Sequence, residues 1–350
     1  MGIVAAWYRK RSWPVLLWPL SLLYRALAQR RRCRLERRRE QGTRLPPVVV
    51  IGNITVGGTG KTPLLIQLAR QLHARGVRVG VVSRGYGGNP PAPPYEVTPL
   101  SSVEEVGDEA VLIRRNVEGP VMVDPQRPRA VAALARLGCD LILSDDGLQH
   151  YAMARTRELV MLDGTRLFGN GLCLPAGPLR EPVSRLREVD WVLVNGGDVT
   201  QWRPLLQAAG LRAAPGAMQV QPGRWVNIAT GERVALDALP LGENGRLHAI
   251  AGIGNPGRFF TTVRELGYAP LCHPFPDHYR FSAHELAFAG EDTLVMTQKD
   301  AVKCERFAGK HTWYLEIEAR LEEHFLEELC DDMQRLAASF AAGDEHERNH

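Results

Sequence analysis

The feature that most limits what this chain can become is the run Gly52-Asn53-Ile54-Thr55-Val56-Gly57-Gly58-Thr59-Gly60-Lys61-Thr62-Pro63. The apolar stretch VVVIGN (48–53) leads into it, and an apolar-periodic segment from Pro63 to about Ala74 follows. That order predicts a short buried strand, a glycine loop and a helix. Glycines let successive backbone N–H groups turn inward at φ values other residues resist. The helix start adds the positive end of its dipole. Lys61 is placed to reach the β- and γ-phosphates of a nucleotide, and the Thr62 hydroxyl to ligate Mg²⁺. Thr55, Val56, Gly57, Gly58, Thr59, Gly60, Lys61 and Thr62 are therefore the expected contacts of ATP with Mg²⁺. One position departs from G-x-x-x-x-G-K-[ST]: Thr55 stands where the first glycine belongs, so the loop is a variant.

Such a loop needs a sheet beneath it, and the chain supplies strand signals in alternation with helices. Apolar runs at 77–83, 121–123, 140–144, 158–162 and 191–195 read as strands, with helices at 107–115 and 128–137. The alternation predicts a mostly parallel sheet covered on both faces, with ligands at the carboxyl ends of its strands. Around 211–246 the pattern changes to short polar segments punctuated by Pro and Gly, a β-ribbon or linker. A second alternating unit follows: strands at 247–253, 270–275, 293–297 and 313–317, helices at 256–266 and 282–289, and a terminal helix at 321–340. The expected fold class is α/β, with a core domain over 45–210, the linker over 211–246 and a second domain over 247–350. A chain of 350 residues is long enough for two such cores.

Residues 1–44 differ in kind. They hold twelve Lys/Arg, Lys10, Arg11, Arg38 and Arg39 among them, against two acids. The remainder carries an acidic excess of six, which argues against a nucleic-acid footprint on the fold. WPVLLWPLSLLYRALA (13–28) is apolar and aromatic but broken by Pro14 and Pro19, and shorter than the ~20 residues of a spanning helix. A signal peptide is the first alternative, but positive charge after the apolar run favours retention on the cytoplasmic side. A helix packed on the core is the second. The preferred reading is an interfacial membrane helix, with Trp7, Trp13, Trp18 and Tyr24 at headgroup depth and arginines contributing roughly 1 kcal/mol each near anionic lipid. The six cysteines form no C-x-x-C pair, which gives no support to a zinc site or a disulfide framework.

Two further motifs bear on chemistry. Ser144-Asp145-Asp146-Gly147 ends an apolar strand, where a second metal-holding acid belongs. Gly252-Ile253-Gly254-Asn255-Pro256-Gly257, with Asp277 beyond it, mimics a dinucleotide fingerprint. Asp277 lies in the loop-like run Pro274-Phe275-Pro276-Asp277-His278, so a structural turn is the better reading.

Taken in order, the glycine loop, Ser83-Arg84-Gly85-Tyr86-Gly87, Gly107-Asp108-Glu109, Asp145-Asp146-Gly147-Leu148-Gln149-His150, Gly177-Pro178-Leu179-Arg180-Glu181-Pro182, Ala251–Pro256 and Asp277-His278 resemble the tetraacyldisaccharide 4′-kinase family of Gram-negative lipid A biosynthesis. The motifs span roughly residues 50–300. Ala110 and Tyr279 stand where the family commonly has proline and histidine. The resemblance implies two Rossmann-like α/β/α domains, a P-loop core and its partner, with the active site between them. It implies transfer of the ATP γ-phosphate to the 4′-hydroxyl of an acylated glucosamine disaccharide 1-phosphate, giving lipid IVA, at the cytoplasmic face of the inner membrane. Asp108 would be the base, oriented by His278, and Lys61 would stabilise the transferring group. Thr62 and Asp145 are the preferred metal ligands, with Asp146 and Glu109 in reserve. Ser83, Arg84, Tyr86, Gln149, His150, Arg180 and Glu181 would face the acceptor, Arg180 as a bidentate phosphate partner or, alternatively, in a salt bridge with Glu181. The expected protein is a monomer whose domains close on their ligands. The competing function is a membrane-associated P-loop ATPase acting on a protein partner.

Overall fold

The computed structural model describes residues 3–9, 12–37, 44–242 and 244–348. Among them lie thirteen strands: β1 (Val48–Gly52), β2 (Val79–Ser83), β3 (Tyr95–Val97), β4 (Val121–Val123), β5 (Leu141–Asp145), β6 (Arg157–Asp163), β7 (Trp191–Asn195), β8 (Gly216–Asn227), β9 (Arg233–Val234), β10 (Leu247–Ala251), β11 (Leu271–Pro274), β12 (Thr293–Thr297) and β13 (Thr312–Leu321). All belong to one sheet, in the order β11-β10-β12-β13-β8-β7-β6-β1-β5-β2-β4-β3, with β9 paired to β8.

In the first unit β7, β6, β1, β5, β2 and β4 run parallel, and only the edge strand β3 is antiparallel. Parallel strands are covered on both faces, which is why these read as unbroken apolar runs. Their side chains alternate between two cores. Val49 and Ile51 pack with Leu64, Leu65, Leu68 and Leu72 of helix Lys61–Ala74. Val48 and Val50 pack on the opposite face with Ala130, Val131 and Leu134 of helix Arg127–Arg136 and with Trp202. The second unit repeats the scheme: Ala249, Ala251 and Val295 face one core and Ile250, Leu294 and Met296 the other.

The segment expected as a linker builds the joint between the units. The start of β8 pairs parallel with β7 (Asn195 opposite Met218), while the length of β8 pairs antiparallel with β13. β12 joins β13 at its far end, with Thr297 opposite Leu315 and Leu315 opposite Trp225. Met218 and Trp225 are seven residues apart, roughly 23 Å at about 3.3 Å per residue. The antiparallel pairing reverses strand direction across this arm. The carboxyl ends of β10 and β12 therefore point back toward the carboxyl ends of β1, β2 and β5, and the two loop-bearing edges face each other.

The N-terminal helix Trp18–Glu36 docks on the first unit by polar contacts. Ser21 Oγ donates to the Cys173 carbonyl at 2.7 Å, the Tyr24 hydroxyl to the Arg180 carbonyl at 3.1 Å, and Arg32 pairs with Glu188 at 2.5 Å. Only Ser21 in this helix is fully buried. Trp13, Leu16 (81% exposed), Trp18, Leu20, Leu22, Leu23 and Leu27 face outward. Among the described residues no helix is long and apolar enough to cross a membrane. Lys10, Arg11, Arg38 and Arg39 lie outside the described residues.

Candidate functional site

β1 delivers the glycine loop to the carboxyl edge of the sheet. Gly57 (φ 105°) and Gly60 (φ 89°) occupy left-handed conformations. A Cβ on Gly60 would come within 2.6 Å of Asn195 Nδ2, and that same amide donates to the Thr59 carbonyl at 3.1 Å, so the loop base is held against β7. Thr55 has no positive φ; it forms an antiparallel bridge with Leu179, and no glycine is required there. The flanking amides complete this clamp, Val56 N donating to the Pro178 carbonyl (2.9 Å) and Arg180 N to the Ile54 carbonyl (2.7 Å). The Gly-Pro-Leu-Arg segment thus braces the variant half of the loop. Gly57 and Gly58 are exposed, and no side chain caps the N-terminus of helix Lys61–Ala74. Its free N–H groups are an anion site.

Beside the loop, Asp145 closes β5 and Asp146 follows with φ 44°. The two acids are placed in different surroundings. Asp146 is held down to about 2: burial opposes ionisation, but Lys61, Arg180 and Arg127 outweigh it. Lys61 Nζ lies 3.4 Å and Arg180 Nη1 3.2 Å from its two oxygens. Asp145 is fully buried, accepts from Ser83 Oγ at 3.3 Å, and is pushed up by burial and by the charges of Glu109 and Asp146. A buried carboxylate with so little compensation suits a cation, and with Thr62 at the helix start it offers the hard oxygen donors Mg²⁺ takes. No three acidic, His or Cys side chains among the described residues form a metal cage of their own. Arg127, which sequence reasoning passed over, is buried and anchors the acidic turn: its Nη1 donates to the Asp146 carbonyl at 3.0 Å.

The third component crosses between units. Gly107 (φ 83°) packs so tightly on Tyr86 that a Cβ would meet its carbonyl oxygen at 2.3 Å. This places Asp108 at the first position of helix Asp108–Asn116, where Oδ1 accepts from the Glu109 amide at 2.9 Å. Its other oxygen, Oδ2, lies 3.0 Å from Nδ1 of His278. His278 adopts φ 58° after β11, its amide donating to the Gly252 carbonyl at 3.2 Å. The Gly252 motif thus carries His278 into the cleft, and Gly252 N donates to buried Asp300 at 2.9 Å. The contact with Asp108 raises the His278 pKa above its ordinary value. Asp108 is held below the usual carboxylate range: burial opposes, while His278, Lys299 and Lys303 outweigh it. The Tyr86 ring, 60% exposed, lies 5.0 Å from the imidazole.

The remaining expected residues divide. Ser83 faces Asp145; Arg84 is exposed at the end of β2. Arg180 pairs with Asp146, not with Glu181. Glu181 is buried against Gln149 (2.8 Å), the Tyr151 hydroxyl and Arg185 (3.3 Å), and Gln149 also donates to the Asn53 carbonyl at 3.0 Å. His150 is pushed down to about 4 by burial and then by Arg127 and Arg155, so its ring is neutral at pH 7. Lys299, Asp300 and Lys303, on helix Gln298–Cys304, went unread. The signal was Thr297-x-x-Asp300 after an apolar strand, a helix start in which Asp300 N donates to Thr297 Oγ1 at 3.1 Å.

Residues 13–334 match the family described as tetraacyldisaccharide-1-P 4′-kinase. A protein named tetraacyldisaccharide 4′-kinase from Pseudomonas putida (strain W619) is 49% identical over 336 residues, 95% of this chain and 96% of its own length. One of the same name from Azotobacter vinelandii is 50% identical over 341 residues, 96% and 98% of the two chains. A crystal structure of LpxK from Aquifex aeolicus in complex with ATP aligns with TM-score 0.70 and 25% identity, covering 93% of this chain and 99% of that one.

Proposed function

The chain belongs to the tetraacyldisaccharide-1-P 4′-kinase family, and from that premise we propose how its two units divide the work. It is an ATP-dependent kinase that phosphorylates the 4′-hydroxyl of a tetraacyl disaccharide 1-phosphate in lipid A biosynthesis. The glycine loop, Lys61 and the open helix start bind the nucleotide phosphates. Asp108 accepts the proton of the acceptor hydroxyl as its oxygen bonds to the γ-phosphorus and the bond to the β-phosphate oxygen breaks, releasing ADP. His278 orients Asp108 and takes up part of the resulting change in charge. Lys61 and Arg180 face the charge that develops on the transferring group. Thr62 and Asp145 would hold Mg²⁺, which supplies neutralisation of phosphate charge. The single observation that carries this division is the 3.0 Å contact between Asp108 of the first unit and His278 of the second, which completes the site only when both edges meet. Closure of the units then excludes water that would hydrolyse ATP.

Incubation with γ-labelled ATP and the disaccharide lipid tests the reading. Label in the lipid is expected, and phosphate release stimulated by a protein without labelled lipid would favour the P-loop ATPase instead.

We place the enzyme at the cytoplasmic face of the inner membrane, as a monomer, through its N-terminal segment. Supporting this, the outward side of residues 13–27 is apolar while Arg25, Arg30, Arg31 and Arg34 line the same helix. Ser21 and Tyr24 tie the inner side of that helix to the protein, which leaves the exposed leucines on its outer side for lipid. Leu16→Asp with Leu23→Asp should shift the protein from the floating to the soluble fraction of anionic vesicles, with kinase activity on detergent-dispersed acceptor retained. Undiminished flotation would remove this surface as the contact.

A further inference from the structure

Helix Gln298–Cys304 presents two lysines one turn apart to the Asp108 carboxylate. Their partners separate their roles. Lys303 is neutralised by Asp300 on its own helix at 2.6 Å, and Asp300 in turn holds Gly252 and Thr297. Lys303 belongs to the scaffold of the second unit. Lys299 has a different set of neighbours: Glu109 Oε1 at 3.1 Å, His278 Nε2 at 3.5 Å and Asp108 Oδ2 at 3.9 Å. Two of these lie on the first unit and one on the second, and all three are groups of the reaction centre.

We propose that Lys299 is a positioning residue for phosphoryl transfer, a cationic strut that fixes the base and its histidine across the interface. The inference rests on the assignment of Asp108 as the base. Two effects follow from the geometry. Asp108 and Glu109 are adjacent like charges on the first helical turn, and an ammonium group reaching both stops them from repelling each other out of register. An ammonium group also has no lone pair, so Nε2 of His278 can only accept from it. That leaves Nδ1–H as the donor to Asp108, the tautomer an orienting histidine needs. The neighbouring pair Arg115–Glu305 joins the same helix of the first unit, two turns beyond Asp108, to the residue that follows helix Gln298–Cys304, and serves as an internal comparison.

Lys299→Met keeps the length and packing of the stem and removes the charge. The expected result is a fall in kcat of about 10²-fold, the scale of a misplaced catalytic group. KM for ATP should stay within about threefold, because no nucleotide contact is removed. Lys299→Arg should recover at least a tenth of wild-type kcat, and Arg115→Met should leave kcat within about twofold. Thermal unfolding of each variant reports folding separately; if Lys299→Met unfolds early, the Lys299→Arg and Lys299→Gln pair decides, arginine active and glutamine not. Wild-type kcat in Lys299→Met, or equal loss in arginine and glutamine variants, overturns the proposal. Asp108→Ala measured alongside separates the two levels. If it is inactive while Lys299→Met is fully active, only the strut fails; if it is active, the assignment of the base fails and the strut with it.

Discussion

Asp108→Ala lowers kcat by roughly 10²–10⁴-fold, the contribution of a positioned general base, while leaving ATP affinity nearly unchanged. The separation follows from where the residue sits. Asp108 touches His278, the Glu109 amide and the lysines of helix Gln298–Cys304, and no part of the glycine loop. On the proposed assignment, its removal leaves a methyl group where the acceptor hydroxyl would hand over its proton. Lys299, Lys303 and His278, which faced it, lose their shared carboxylate, so some loss of thermal stability should accompany the change. Single-turnover transfer and calorimetric titration with a non-hydrolysable ATP analogue measure the two quantities independently. Asp108→Asn is the stricter test, since it keeps the shape and one acceptor oxygen but cannot take the proton. Transfer at the wild-type rate in either variant would exclude Asp108 as the base.

Lys61→Ala should reduce kcat/KM by about 10³-fold or more, with losses in both nucleotide affinity and transfer, since the removed cation meets the ground state and the transition state alike. Lys61 lies on Asp146 at 3.4 Å, at the first position of the loop helix. Without it, Asp146 keeps Arg180 and Arg127 as its cations, but the site loses one positive charge beside the loop. Charge alone is not enough here: Lys61→Arg should remain impaired, because a planar guanidinium does not present the compact point charge that the loop encloses. Retention of more than a tenth of wild-type kcat/KM in Lys61→Ala would mean that Arg180 carries the phosphate charge in its place.

The reach of sequence reasoning followed the range of the signals. The buried parallel strands announced themselves because both faces are covered, so VVVIG is apolar throughout and WVLVN up to its terminal Asn195. The glycine loop was legible for the same local reason, and Thr55, the apparent fault in it, is explained by a bridge to Leu179 more than a hundred residues away. β8 was visible only as polar, Pro-containing ribbon: Pro222 sits where the pairing with β13 is irregular, and residues 219–224 in its middle are exposed or only partly buried. Helix Gln298–Cys304 is only seven residues long, too short for a period to emerge. The lysine against Glu109 was therefore unreadable until the fold brought position 299 to position 109. His278 was found through family resemblance, since nothing in its local sequence predicts a left-handed histidine aimed at another unit.

The paired arms of β8 and β13 behave as a caliper. Strand direction reverses across them, so the gap between the jaws is written in the number of residues between the level of β7 and the level of β12, not in any residue that touches substrate. Adding two residues to each arm keeps every side chain on its own face and opens the jaws by about 6.6 Å. A single inserted residue instead turns one jaw inside out. Reach and chemistry are thus separable quantities in this enzyme, the first set by strand length and the second by a handful of charges, and each is free to change without rewriting the other.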